Sequence, residues 1–193
     1  MLKKIFVTAL LMALSFIGSQ IFSSNVCSAI PEKEICLGRL TFGDKPDKVT
    51  KMYGEPTSRD WNVPIGKNMR GDIWRYGDSV EIVFYSWHDT EKEKKIVSIK
   101  VSANNGWQTP SGLAVGMHIE DAIRMYGKPV SNESFVAKGV DIYCYGGDRI
   151  PDAYFWIVCD KTSHKILKLC VRGYGIPNIG EYNLDGMIKW LLK

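Results

Sequence analysis

Most of what would announce an enzyme is missing from this chain. Its 193 residues hold three histidines: His88, His118 and His164. None is spaced as His-x-x-x-His or His-Glu-x-x-His, the patterns that set two imidazoles on one helical face for a metal. There is no Gly-x-Ser-x-Gly nucleophile elbow and no glycine loop that would cradle a phosphate. Five cysteines are present, but no Cys-x-x-Cys, which argues against a structural zinc site and a thioredoxin-type redox pair. The composition therefore implies no cofactor and no metal. Carboxylates are scattered, and the charged run 91–95 reads as a solvated turn.

A strong charge of one sign is also missing. Lysine and arginine number 25 against 21 acidic residues, a net charge of +4. A nucleic-acid partner would demand a clear basic excess to neutralise phosphates, so that class is set aside. No apolar run is long enough to span a bilayer comfortably. The N-terminal one, residues 5–17, falls short of the ~20 residues a spanning helix needs.

That run has another meaning. Lys3 and Lys4 precede it, a polar stretch follows, and Ala29 offers a small residue for cleavage. This is the layout of a secretory signal peptide over 1–29. Removing it leaves 25 − 2 = 23 basic against 21 acidic residues, and no transmembrane span in the mature chain. Cys27 follows Asn25 and Val26, a poor context for lipidation, so it reads as part of the leader. The expected location is extracytoplasmic, periplasmic or secreted. Cys36, Cys144, Cys159 and Cys170 remain as disulfide candidates, since an exporting compartment permits bridges. Four thiols allow three pairings, and sequence does not choose among them.

What the chain does have is self-similarity. Residues 40–58 read LTFGDKPDKVTKMYGEPTS and residues 113–131 read LAVGMHIEDAIRMYGKPVS. Seven of the 19 aligned positions are identical, where chance at average composition gives about one. The shared residues include Gly43 with Gly116, Tyr53 with Tyr126, Gly54 with Gly127, and Pro56 with Pro129. Ile119, Ala122, Ile123 and Tyr126 fall on one helical face, as do Val49, Met52 and Tyr53. Gly54 and Gly127 suit a left-handed helix end, and the prolines stop any continuation. Strand-like segments follow each helix: 72–76, 81–85 and 96–101, then 141–145, 154–158 and 166–171. Residues 61–71 and 102–112 read as loops.

The expected fold class is thus α+β: two tandem helix-β-β-β repeats, with the helices packed on antiparallel sheet. The expected division is 1–29 leader, 35–107 first repeat, 108–174 second repeat, and 175–193 a tail with an amphipathic helix. The string Val-Gly-Met-x-x-x-x-Ala-x-x-x-Tyr-Gly-x-Pro (115–129) resembles the signature of the SmpA/OmlA (BamE-type) envelope lipoproteins. Its duplication resembles the β-lactamase inhibitor protein architecture. The resemblance spans about 135 residues and rests on structural positions. It implies a helix layer on an antiparallel sheet and a protein-binding role outside the cytoplasm. Where that family places Ser or Thr before the helix, this chain has Lys45 and His118, with Asp44 a possible substitute cap.

Strand parity nominates a surface. In the first repeat Trp74, Tyr76, Ile82, Phe84, Val97, Ile99 and Val101 point inward, leaving Arg75, Glu81, Val83, Tyr85, Ser98 and Lys100 outside. In the second, Tyr143, Tyr145, Phe155, Ile157, Leu167, Leu169 and Val171 point inward. Its outer face carries Ile142, Cys144, Tyr154, Trp156, Val158, Ile166, Lys168 and Cys170. That face is apolar enough to require a cover. The cover is either a protein partner anchored on Tyr154 and Trp156, or the amphipathic segment 183–193. In the second case the partner surface moves to Arg75, Tyr85 and Lys100. The expected function is an exported, non-enzymatic protein-binding module: a cell-envelope scaffold or assembly factor. The alternatives are an inhibitor of a secreted hydrolase, and a small-ligand binder or hydrolase with carboxylate chemistry.

Overall fold

The computed structural model describes residues 29–66, 69–86, 94–135, 138–147 and 153–173. The leader with Cys27, the turn carrying His88 and the segment 183–193 lie outside them.

A single 3-10 turn (Glu32–Glu34) opens the described chain, and a short hairpin follows: β1 (Cys36–Leu37) pairs antiparallel with β2 (Leu40–Thr41). Helix α1 (Pro46–Tyr53) follows, then strands β3 (Ser58–Gly66), β4 (Met69–Tyr76), β5 (Val80–Tyr85) and β6 (Lys95–Val101). Helix α2 (Ile119–Tyr126) leads into β7 (Ser131–Phe135), β8 (Val140–Gly146), β9 (Ala153–Asp160) and β10 (Ile166–Gly173). Strands β3 to β10 form one antiparallel sheet of eight, in the order β3-β4-β5-β6-β10-β9-β8-β7. Two four-stranded meanders therefore meet edge to edge, β6 against β10, at the centre.

This corrects the expected class. The chain is mainly β, not α+β with two tandem helix-β-β-β repeats. Among the described residues the α-helices are two of eight residues each, and four strands follow each helix rather than three. The additional strands are β3 and β7. Of residues 61–71, taken for loop, 69–71 begin β4 and 61–66 are the outer half of β3, with Pro64 among them. Proline is tolerated there because β3 is an edge strand, where one flank of N–H groups has no ladder to serve.

The two helix ends match closely. Gly54 has φ 75°, ψ −161° and Gly127 has φ 76°, ψ −158°. These are not the expected left-handed αL values. They lie in the region beyond it that is open essentially to glycine alone. Each glycine N–H still closes its helix, to Thr50 O and Ile123 O at 2.8 Å. The helix starts are Lys45 and His118, both extended, with Pro46 at the first turn of α1. Asp121 accepts from the His118 N–H at 3.2 Å. Asp44 does not cap α1; its carboxylate accepts from the Thr41 N–H at 2.9 Å.

Both helices pack on one face of the sheet, and one core runs beneath them through both meanders. It joins Val49, Ile82, Phe84 and Ile99 to Ile119, Ala122, Phe155, Leu169 and Val171. Tyr53 and Tyr126 tie the helices down through their hydroxyls. Tyr53 donates to Gly38 O and stacks on Trp107 at 4.4 Å between centroids. Tyr126 lies 2.6 Å from Thr109 Oγ1 and 3.1 Å from the buried Glu34 carboxylate.

Two residues assigned inward by parity are not in that core, for one shared reason. The pairing shifts between Val83↔Ser98 and Phe84↔Ile96, so β6 carries one extra residue. The same shift occurs between Ile166↔Cys159 and Lys168↔Val158 in β10. A bulge reverses the parity beyond it. Ile96 and Ile166 consequently enter the core, whereas Val97 joins the opposite face and Leu167 is 39% exposed.

Candidate interaction surface

On the face away from the helices, one row of paired residues crosses all eight strands: Ser58, Arg75, Glu81, Lys100, Cys170, Trp156, Cys144 and Ser131. The first meander contributes its charged part. Arg75 Nη1 lies 2.7 Å from Asp60 Oδ2 and its Nε 3.5 Å from Glu81 Oε2. Lys100 Nζ lies 3.4 Å from the other Glu81 oxygen. The hydrogen bond to Asp60 holds the Arg75 guanidinium above its usual range, ahead of the opposing effect of burial. Lys168, on the same face, is pushed down by burial first and then by repulsion from Lys100. Tyr85 is half-buried beside Val83 and Val97.

Arg75, Tyr85, Lys100, Trp156, Tyr154 and Lys168, nominated separately from two repeats, thus occupy one face. They are not equally accessible. Val140, Ile142, Cys144, Trp156, Val158 and Cys170 form a second apolar cluster with Tyr154 against it, and none of the six exceeds 8% exposure. Trp156 is closed to solvent, and its indole N–H is buried without a hydrogen-bond partner. It is not an open anchor. The segment 183–193, expected as one possible cover for this patch, lies outside the described residues. Arg75 and Tyr85 at the charged end stay partly open on this face, as do Tyr154 and Lys168 beside the closed cluster.

None of the four disulfide candidates is bridged. Cys144 and Cys170 lie on opposite sides of Trp156, one strand away in each direction. Two strand spacings separate their Cα atoms by about 10 Å, beyond the ~7 Å a bridge can span. Cys159 points into the core on the other face, and Cys36 sits in the small hairpin. Burial pushes the Cys159 thiol up to about 12 and the Cys170 thiol to about 11. Ser98 Oγ approaches Cys170 Sγ at 3.6 Å and opposes that rise.

A second site was not legible in the sequence. Trp61, Asn62, Arg70, Gly71, Asp72, Ser86 and Lys94 line a cavity of about 180 Å³ at the end of the first meander. A register shift between Asp60 and Val63 throws β3 outward here, and Asn62 takes φ 51°. Asp72 is buried, accepting from the Asn62 N–H at 3.0 Å and from Lys94 Nζ at 2.5 Å. Trp61, 52% exposed, has Lys94 Nζ 5.3 Å and the Arg59 guanidinium 5.5 Å from its ring centroid. The only sequence signal was a tryptophan beside an asparagine in a span taken for loop. The lysine that completes the site comes from another strand pair. Among the described residues no group of three His, Cys, Asp or Glu side chains stands where it could hold a metal. No described helix is long and apolar enough to cross a membrane.

No protein-family model matches the chain, and no curated protein matches it. The resemblance to the SmpA/OmlA family thus gains no support from those comparisons. Among solved structures, an extracellular protein containing a SCP domain from Bacillus anthracis str. Ames is similar at TM-score 0.46 and 11% identity. The match covers 80% of this chain and 49% of that one, so this chain spans about half its length. A likeness of that size bears on neither family nor function.

Proposed function

We propose that this is an exported, non-enzymatic protein-binding module that docks through the outer face of its first meander, around Arg75, Tyr85 and Lys100. The observation that supports this reading is the uneven closure of the outer row. Its apolar half is shielded at Trp156, while its charged half keeps Arg75 and Tyr85 in partial contact with solvent. Aromatic and arginine side chains carry most interface energy when they are available to a partner. Export is supported by the basic, apolar and polar order of the leader. The repeated Tyr-Gly-x-Pro positions are consumed by helix ends and tethers, which turns attention to the sheet face.

The test is a photo-crosslinking amino acid placed at Tyr85 in the native host, with the same group at Ile123 on the exposed side of α2 as control. A discrete crosslinked species from Tyr85, lost on Arg75→Glu and absent from Ile123, is the expected result. No Tyr85-specific species would overturn the docking surface.

A further inference from the structure

The cavity between β3 and β4 has a chemistry of its own and lies apart from the docking face. The register pairs Asp72 with Phe84, a core residue, so the cavity opens at the rim of the helix-bearing side. We propose that it is a binding site for a single carboxylate group carried on an apolar stem, with Arg70 as the recognising cation and Trp61 as the apolar wall.

The argument is one of unmatched charge. Among the described residues the lining holds one other cation, Lys94, and Arg59 stands over the Trp61 ring; each already faces a carboxylate. Arg59 bonds Glu55, and Lys94 bonds Asp72. Arg70 differs: its Nε donates to the neutral Asn62 Oδ1 at 2.9 Å. That bond fixes the plane of the guanidinium and leaves its two Nη groups for a ligand. A planar fork of N–H donors matches a carboxylate in bidentate fashion. Asp72 does not cancel it, because both of its oxygens are engaged and the residue is 3% exposed. Over the lining, Arg70 and Lys94 outweigh Asp72 by one positive charge.

Local construction agrees. Asn62 is a non-glycine residue at positive φ, which asparagine tolerates better than most residues. Two bonds hold it there, one through its N–H to Asp72 and one from Arg70 to its side chain. Gly71 lets β4 pack closely on the side away from Arg70 and Asp72, since a Cβ at that position would stand 2.2 Å from Phe84 O and 2.7 Å from Ile65 Cδ1. The size sets the ligand. About 180 Å³ is well under the ~300–1,000 Å³ of a typical small-molecule pocket. It admits one functional group of a larger molecule. An acidic side chain and a peptide C-terminus share that chemistry.

The test is an NMR titration of the full mature chain, following the Trp61 indole N–H and the Arg70 Nε–H. N-acetylglutamate α-amide represents a side-chain carboxylate, N-acetylglycine a chain terminus, and N-acetylglutamine amide a neutral control. Both signals should move with at least one carboxylate probe and remain still with the amide. The stronger of the two probes identifies the source. Arg70→Ala should weaken that binding about tenfold or more, the loss of one charge-assisted pair. Arg70→Lys should recover part of it. Equal shifts with the neutral amide, tighter binding of inorganic phosphate, or unchanged binding in Arg70→Ala would each overturn the assignment. The crosslinking test at Tyr85 is independent of every one of these outcomes.

Discussion

Lys100 and Cys170 are paired Cα to Cα where β6 meets β10, so the charged meander and the apolar meander touch at a lysine and a buried thiol. They stand 70 positions apart in the chain. One side of that seam is held by ion pairs through Glu81, and the other by Trp156 between two cysteines. Trp156 on one side is closed to solvent, whereas Arg75 and Tyr85 on the other are half-buried, the contrast that the proposed docking surface uses.

The bulges yield the sharpest test of the fold. Ile166→Asp should abolish cooperative folding, because it puts a carboxylate into a core position 1% exposed. Leu167→Asp should change stability by no more than about 0.5 kcal/mol, as expected of an exposed position. Simple alternation predicts the reverse. Urea denaturation of the two variants decides between them.

Gly54→Ala isolates backbone strain. A Cβ there would touch nothing within 4 Å, so no steric clash contributes. The cost is conformational, and for a glycine-only region it should be about 1–3 kcal/mol. The measurement is the shift in denaturation midpoint at unchanged m-value. A neutral result would mean that the helix end relaxes to another conformation.

Tyr126→Phe removes the hydroxyl shared by Thr109 and Glu34. The buried Glu34 carboxylate keeps the Ser111 N–H at 3.1 Å but loses its side-chain partner. Leaving a buried acceptor short of one bond costs about 1–3 kcal/mol. Replacing Glu34 by Gln in the same background should recover part of that loss, because a neutral amide is less costly to leave underbonded. Denaturation of the single and double variants measures the coupling.

The thiols set an alkaline limit. Burial favours neutral Cys159 and Cys170, with folded values of about 12 and about 11, whereas an unfolded thiol ionises near ~8.5. The unfolded chain therefore releases these protons first as pH rises. The stabilisation is complete below about pH 8.5 and is lost progressively toward the folded values. Stability measured by urea at about pH 7.5 and about pH 10 should fall less steeply for a Cys159→Ala, Cys170→Ala double variant than for the natural chain. In the natural chain a thiol reagent should label half-exposed Cys36 before Cys144, Cys159 or Cys170.

The sequence by itself determined the local pieces. Tyr-Gly-x-Pro placed both helix ends, since a glycine-only backbone followed by proline leaves the chain no way to continue. Period-two alternation of β-branched and aromatic residues located β4, β5, β6, β8, β9 and β10, and it put Arg75 and Lys100 on the outer face of one repeat and Trp156 on the outer face of the other. Only the tertiary structure decided the rest. That the two meanders join as one sheet, that β3 and β7 flank it, that bulges exchange Val97 for Ile96 and Leu167 for Ile166, and that Lys94 reaches Asp72 all depend on contacts between distant segments. The physical reason is that alternation and turn chemistry act within a few residues. Pairing register, burial and charge matching are settled only when strands far apart in sequence compete for the same neighbours.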